Sequence, residues 1–438
     1  MDKSPRLLGV TLAESIRPRY FLVYLFAVFI SSGYAGALAI LQPGLLAVMK
    51  IDQQAQATLT GYLSALQELV FILLLGTFGA LSDRIGRRPV YVFGLLFTGL
   101  GFILYPHANS VSQLVLFRLV VAVGSAAMIG MMVTVVADYA RESSRGRANG
   151  LQGLTATLGA FIPPLLAVLP KVFAGQGIDE LTAQQLTFAC GGALGVGAAV
   201  VVALGLAPGL QSAGKRTKHA AQSLFSDMRA GLLAARDPQT ALSYGAAFIS
   251  RGDLAVTGAF ISLWLVQYGT RELNMTPSEA MFQLAVPRTL AVVGGALLGS
   301  LLMGQIADRV SRVAAVALAS GLAAIVYGGV FLITDPTADW VMGLLLVMGV
   351  AEISAFVSSQ ALVGQQAPAA QRGAVIGFFG VAGAVGILVG TSGGGLLFAH
   401  IAPSAPFVLF GLLNGLVCLW SLALLRRSTA PTAAAGSV

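Results

Sequence analysis

Seven ionisable side chains lie inside long apolar segments of this sequence. They are Glu68, Arg118, Asp138, Arg251, Asp253, Arg288 and Glu352. A charged group is costly in hydrocarbon, so each of them is expected to face a cavity or another charge. Burial favours the protonated form of an acid, so a carboxyl group in such a place can take up and release a proton when its surroundings change. The pattern predicts charge pairing and proton transfer within an apolar protein.

A charged loop of fixed pattern joins two of the apolar segments. It reads GALSDRIGRRPV from Gly79 to Val90, and a shorter version returns from Gly304 to Arg312. Its repetition between spanning segments predicts a gate. The residues expected to act in gating are Gly79, Asp83, Arg84, Gly86, Arg87, Arg88, Asp308 and Arg309. Within the loop, Asp83 can either cap the helix that follows or pair with Arg87.

Composition identifies the elements that must position these residues. The hydrophobic fraction is 56% and the charged fraction is 10%, against about 25% charged residues in a soluble globular chain. A membrane-spanning helix needs about 20 apolar residues, so the sequence predicts an all-α membrane protein with twelve spans. The predicted spans are 20–49, 57–82, 89–106, 111–138, 148–170, 185–207, 240–268, 280–306, 313–333, 340–364, 373–398 and 404–425.

The basic residues outside the spans predict the orientation. With both termini in the cytoplasm, as an even number of spans requires, 20 lysines and arginines fall on the cytoplasmic side and three on the outer side, namely Lys50, Lys171 and Arg271. This asymmetry follows the positive-inside rule. The net charge of +8 is therefore a signal of topology, and no basic face remains to bind nucleic acid.

Neither the N-terminus nor the cysteines carry a processing or cross-linking signal. Residues 1–19 are polar and basic, and the first apolar run is too long for the core of a signal peptide, so we expect the N-terminus to be retained. Cys190 and Cys418 fall inside the sixth and twelfth spans, where buried, unpaired thiols are expected. Their number and spacing predict no disulfide and no metal site.

The chain divides once, at the long polar segment 209–239, which separates an N-terminal half, 1–208, from a C-terminal half, 240–438. The halves share three sequence echoes in the same order. These pair Phe29–Gly33 with Phe248–Gly252, the Gly79 loop with the Gly304 loop, and Arg145, Gly150, Gly153 and Gly159 with Arg372, Gly377, Gly380 and Gly386. The repeats predict two related six-helix bundles with a substrate site near the membrane midplane between them.

The first charged loop resembles the G-x-L-a-D-R-x-G-R-[RK] loop of the major facilitator superfamily, which comprises secondary transporters with twelve transmembrane helices. The matching residues are Gly79, Leu81, Asp83, Arg84, Gly86, Arg87 and Arg88. The resemblance implies two pseudo-symmetric halves, transport by alternating access, and a lipid-facing position for the third, sixth, ninth and twelfth spans. It also implies that Asp138, at the end of the fourth span, meets the arginine of the loop and belongs to the gate.

The fifth span carries a partial second resemblance to the superfamily. Some of its proton antiporters show the pattern G-x8-G-x3-G-P-x2-G-G. This sequence matches with Gly150, Gly159 and Pro164, but Pro163 replaces the third glycine and the closing glycine pair is absent. The resemblance points to export, and the alternative is a glycine-packed helix with a proline kink.

Depth within the spans suggests which residues carry protons and which line a cavity. At a rise of 1.5 Å per residue, Asp253 and Glu352 lie near the midplane and Glu68 lies about 17 Å deep. We expect these three acids to carry protons, each with an arginine nearby, although Glu68 can instead form a static strut with Arg118. The residues expected in the substrate cavity are Arg118, Arg251, Arg288, Tyr34, Gln42 and Trp264.

These features predict a secondary transporter for a small organic solute, coupled to protons. Efflux of amphiphilic or drug-like compounds suits an apolar cavity with few charges. The alternative is uptake of an organic anion by proton symport, with Arg118, Arg251 or Arg288 holding its acidic group.

Other classes of function lack a matching pattern. The sequence has no phosphate-binding loop followed by Lys-Ser/Thr, so ATP is not the expected energy source. It has no catalytic cluster, so we expect no enzyme activity, cofactor or metal. We expect a monomer in a bacterial inner membrane, with lipid, protons and a small-molecule substrate as its partners.

Overall fold

The computed structural model describes residues 5–208, 224–367 and 371–429. This part of the chain is almost entirely helical, with one short hairpin near its start. Within these described ranges, twelve helical segments are long and apolar enough to cross a membrane. They coincide with the twelve predicted spans to within a few residues, because uninterrupted apolar sequence of this length leaves a backbone in lipid no alternative to the helix.

The first six spans follow the hairpin in chain order. The elements are β1 (Arg6–Leu7), β2 (Val10–Thr11), α1 (Pro18–Val48), α2 (Gln53–Ile85), α3 (Arg87–Leu104), α4 (Val111–Tyr139), α5 (Arg145–Gly159), α6 (Ile162–Leu166), α7 (Leu169–Gly175) and α8 (Glu180–Gly205). The fifth span consists of α5, α6 and α7 together. It is interrupted near Pro163 and Pro164, since proline has no N–H to donate to the helical ladder.

The remaining spans have one irregular segment. The elements are α9 (Leu224–Ala234), α10 (Pro238–Arg271), α11 (Pro277–Ala280), α12 (Val286–Arg309), α13 (Arg312–Gly329), α14 (Asp339–Gln366), α15 (Arg372–His400) and α16 (Ala405–Thr429). A π-helical turn, Met281–Ala285, connects α11 to α12 within the eighth span. Such turns widen the helix locally and free a carbonyl group.

The contacts divide the described residues into two compact units. The first contains residues 5–208 and 258–290, and the second contains 224–257 and 291–429. The end of the seventh span and the start of the eighth therefore pack with the first six spans. Of the polar segment 209–239, residues 209–223 lie outside the described part of the chain, while α9 and the start of α10 occupy the rest. The division into halves at this segment stays a prediction.

Two equivalent glycine contacts relate the two halves. A Cβ atom added at Gly159 would collide with the carbonyl oxygen of Phe29, and one added at Gly386 would collide with the carbonyl oxygen of Phe248. Both pairs belong to the sequence echoes, and each pair lies within one unit. Glycine at these positions lets two helix backbones touch.

The two cysteines are both free, as expected, but they are less buried than expected. Cys190 on α8 is exposed and Cys418 on α16 is partly exposed. The prediction of burial is wrong because these two spans turn much of their surface outward. In the most apolar 18-residue stretch of the sixth span, only 39% of the residues are buried within the protein, and in the corresponding stretch of the twelfth span only 28% are buried.

Candidate functional site

The charged loop brings three of the predicted gating residues together. Arg87 Nη1 lies 2.5 Å from Asp83 Oδ1, and Arg87 Nε lies 2.8 Å from Asp138 Oδ2. Arg87 is only 5% exposed. Gly86 forms the corner between α2 and α3 with a φ of +96°, a conformation that side chains other than glycine rarely adopt. The predicted pairing of Asp138 with the loop arginine is present, and Asp83 pairs with Arg87 instead of capping α3.

The other predicted gating residues stand apart from this cluster. Arg84 and Arg309 are exposed, and Arg88 is partly buried. Gly79 faces open space, since a Cβ atom added there would meet no atom within 4 Å. The side chain of Asp308 lies outside the described part of the structure.

The N-terminal segment holds the end of α4 beside this cluster. Ala13 N–H donates to the Tyr139 carbonyl oxygen at 2.9 Å, and Arg141 N–H donates to the Thr11 carbonyl oxygen at 3.1 Å. Tyr139 is the last residue of α4 and follows Asp138 directly. Sequence reasoning did not find this contact, because strands of two residues carry no measurable periodicity.

A buried arginine in the first unit has neutral partners. Arg118 is 4% exposed, and its Nη1 donates to Gln42 Oε1 at 3.2 Å. The same amide oxygen accepts a bond of 2.7 Å from the Tyr105 hydroxyl, and Gln42 Nε2 donates to Thr60 Oγ1 at 3.0 Å. Arg118 Nε is buried with no hydrogen-bond partner. Within the described ranges no carboxylate pairs with Arg118, so its partner is Gln42 and not Glu68.

The other residues predicted to line a cavity are placed in different environments. The Tyr34 hydroxyl is buried and donates to the Gly191 carbonyl oxygen, so it joins α1 to α8. The Arg251 guanidinium lies 5.1 Å from the centroid of the Phe356 ring. Arg288 is buried, and its Nη1 donates at 3.3 Å to the carbonyl oxygen of Leu284 in the π-helical turn. Trp264 on α10 and Glu68 on α2 are partly buried.

Among the described residues of the second unit, two acids are buried. Asp253 on α10 is 0% exposed, and both of its carboxylate oxygens accept bonds of 3.0 Å from Asn414 Nδ2 on α16. Glu352 on α14 is 4% exposed, and its Oε2 accepts a bond of 3.1 Å from the Tyr327 hydroxyl on α13. Tyr327 also bonds Thr257 Oγ1 at 2.7 Å. These five residues form what we call the acid cluster.

All hydrogen-bond partners of the two acids are neutral. No ion pair among the described residues involves Asp253 or Glu352, so the expected neighbouring arginine is replaced by an amide and a hydroxyl. Sequence reasoning missed these partners because it followed charges alone. Asn414, a polar residue in the middle of the apolar twelfth span, was the signal that could have found them.

A cavity of about 350 Å³ lies elsewhere in the second unit. Its polar lining includes Gln239, Ser311 and Arg312, at the start of α10 and at the start of α13. It contains none of the residues predicted to line the substrate cavity. It is therefore a separate feature of the second unit.

Comparison with known proteins establishes the family. Residues 20–269 and 243–437 match the sequence model of the Major Facilitator Superfamily. The chain belongs to this superfamily of membrane transporters, which confirms the predicted fold and the expectation that the protein is not an enzyme.

Individual relatives share the family at low identity. The magnetosome protein MamH of Paramagnetospirillum magneticum is 26% identical over 391 residues, which cover 87% of this chain and 86% of MamH. Multidrug resistance protein 3 of Bacillus subtilis is 32% identical over 92 residues, or 21% of this chain and 18% of that protein. The crystal structure of the nucleoside transporter NupG has the same fold, with a TM-score of 0.70 at 15% identity over 93% of this chain and 99% of that chain.

Proposed function

We propose that this transporter moves a small organic solute by alternating access, coupled to protons, and that it exports amphiphilic compounds. The acid cluster is the observation that carries the proposal. Asp253 and Glu352 are enclosed and have only neutral hydrogen-bond partners. We therefore expect both acids to be protonated while they are enclosed in this way, because an ionised carboxylate without a cation is costly in an apolar interior.

Opening the protein to water would change this balance. Water stabilises the carboxylate, so a proton bound while the acid is enclosed can leave when an aqueous path reaches the acid. Alternation between closed and open surroundings is what coupling to a proton gradient requires. In this proposal Asp253 and Glu352 carry the proton, and Glu68 stands third because it is only partly buried.

Two observations support export. One stretch of the chain is similar to a part of multidrug resistance protein 3. The partial antiporter pattern of the fifth span also has a structural counterpart, since Gly159 lies against the backbone of α1 and the helix breaks beside Pro163. A helix that is interrupted where it touches its neighbour can bend during the transport cycle.

The Arg87 cluster is proposed as the gate at the cytoplasmic end. Arg87 joins α3 to α2 and to α4 through Asp83 and Asp138, so a movement that separates these helices must break at least one ion pair. The basic residues support cytoplasmic termini in a bacterial inner membrane. We further propose that the transporter works as a monomer.

The environment of Arg118 favours a second candidate, proton-coupled uptake of an organic anion. A buried guanidinium without a carboxylate carries an uncompensated positive charge. Its free Nε–H is a donor that suits a carboxylate or phosphate group. An anionic solute at Arg118 would supply the missing charge.

Counterflow in proteoliposomes tests these candidates directly. A panel of lipophilic cations, neutral amphiphiles and carboxylates is offered with and without a pH gradient. Export of amphiphiles predicts selective counterflow of the first two classes, with unchanged recognition in Arg118→Gln. Selective counterflow of carboxylates that Arg118→Gln abolishes would establish the anion carrier instead. If accumulation of the solute were the same with and without the pH gradient, proton coupling would be rejected.

A further inference from the structure

Residues 6–13, which we call the strap, run across the end of α4. Its two strands are joined by the turn Leu8–Gly9, in which both residues have positive φ, +50° and +76°. This is the geometry of the tight two-residue hairpin whose twist matches that of its strands. Within the strap, Val10 and Leu12 are 0% exposed, whereas Leu8 is 61% exposed. The strap therefore has one face packed against the protein and one face in solvent.

Hydrogen bonds attach the strap to the segment that follows α4. Leu12 pairs with Ala140 in an antiparallel bridge. Ser144 Oγ accepts a bond of 3.0 Å from Thr11 N–H and donates one of 2.8 Å to the Thr11 carbonyl oxygen. The contact satisfies backbone groups on both sides, so the strap is part of the folded unit.

The strap also satisfies the C-terminal end of α4 itself. The last carbonyl groups of a helix have no partner within the helix. Here the Tyr139 carbonyl oxygen accepts from Ala13 N–H at 2.9 Å. The Tyr139 hydroxyl accepts from Ala207 N–H, just after α8, at 3.1 Å. Tyr139 is thus fixed from two directions, and Asp138 is its neighbour in the last turn.

We propose that the strap is a positioning element for the gate: by capping the end of α4 it keeps Asp138 in place to pair with Arg87. Without the strap the last turn of α4 would fray, since the Tyr139 carbonyl group would lose the donor that Ala13 supplies. Of its two carboxylate partners, Arg87 would then retain Asp83 alone. Release of the strap would weaken the gate without any change in its ion-pairing residues, so the strap offers a point of control. The inference rests on the proposed function only where it treats the Arg87–Asp138 pair as a gate.

Hydrogen exchange on the full chain in lipid nanodiscs tests the positioning. Ser144→Ala removes both bonds to Thr11, and Ser143→Ala is its control at an exposed neighbouring serine. We expect the amides of residues 136–141 to exchange about tenfold faster in Ser144→Ala and to remain unchanged in Ser143→Ala. Unchanged exchange in Ser144→Ala would overturn the inference. The measurement needs no substrate, so its result tests the positioning role of the strap separately from the proposed transport function.

A double-mutant cycle separates positioning of Asp138 from general destabilisation. Leu12→Asp places a charge on the packed face of the strap, and Leu8→Asp is the control on the exposed face. If the strap positions Asp138, Asp138→Asn should lower the unfolding midpoint less in the Leu12→Asp background than in the wild type. If Asp138→Asn lowered the unfolding midpoint by the same amount in the Leu12→Asp background and in the wild type, the proposal would be contradicted. If Leu12→Asp does not fold, the cycle is run with Ser144→Ala.

Discussion

At the scale of single residues, three buried ionisable side chains, Arg118 in the first unit and Asp253 and Glu352 in the second, have neutral hydrogen-bond partners. Arg118 relies on Gln42, Asp253 on Asn414 and Glu352 on Tyr327. A neutral donor offsets only part of the cost of burying a charge. The two acids are therefore suited to bind and release a proton, and Arg118 is suited to bind an anionic ligand. Arg87 is different, because two carboxylates compensate its charge and hold it in place.

The hydrogen bonds from Asn414 to Asp253 predict a non-additive pair of substitutions. Asn414→Leu removes the donor shared by both carboxylate oxygens, and we expect it to cost about 1–3 kcal/mol in the free energy of unfolding, because a buried acceptor is left without a partner. Asn414→Leu with Asp253→Leu should cost less than the two single changes together, since both polar groups are then replaced. Chemical unfolding of the four proteins in detergent measures this, and strict additivity would show that the pair is not coupled.

The gate pair predicts a contrast between two acids at the end of α4. Asp138 pairs with a nearly buried arginine, whereas Glu142 is 91% exposed and pairs with Arg145 at 3.4 Å. Asp138→Asn should cost about 1–3 kcal/mol, as expected for a hydrogen bond to a buried charged group, and Glu142→Gln should cost less than about 1 kcal/mol. Thermal unfolding compares them, and equal small losses would contradict the structural importance of the Arg87 cluster.

At the scale of elements, glycines decide where helices touch. A methyl group at Gly159 would collide with the backbone of α1, while Gly150 on the same α5 has no atom within 4 Å of its added Cβ. Gly159→Ala should cost about 1–3 kcal/mol through overpacking. Gly150→Ala should be neutral or stabilise the protein by up to about 1 kcal/mol. Unfolding measurements that rank the two variants in the opposite order would contradict the close contact of α1 with the fifth span.

The same elements show how far sequence reasoning reaches. The twelve spans follow from length and apolarity alone, and the pair Arg87–Asp138 follows from the loop and its family resemblance. The acid cluster could be predicted only in part. Depth along a helix places Asp253 and Glu352 near the midplane, but it does not give the direction of a side chain, and that direction selected Asn414 and Tyr327 as partners.

At the scale of the whole molecule, the distribution of basic residues predicts a single orientation. In a background with Cys190→Ser and Cys418→Ser, a membrane-impermeant maleimide should label Lys50→Cys in intact cells. It should label Arg236→Cys only after the membrane is opened. Cys190 and Cys418 are the two native cysteines, so their removal leaves the introduced cysteine as the single thiol that can be labelled. Labelling of Arg236→Cys in intact cells would reverse the proposed topology.

The central claim, that Asp253 and Glu352 couple solute movement to protons, is tested most directly by two transport assays on the same proteoliposomes. One measures accumulation driven by a pH gradient, and the other measures exchange of solute at equal pH. We predict that Asp253→Asn or Glu352→Gln abolishes accumulation and preserves exchange, while Asp339→Asn, at an exposed acid at the start of α14, preserves both. Full accumulation driven by the pH gradient in both Asp253→Asn and Glu352→Gln would contradict the claim.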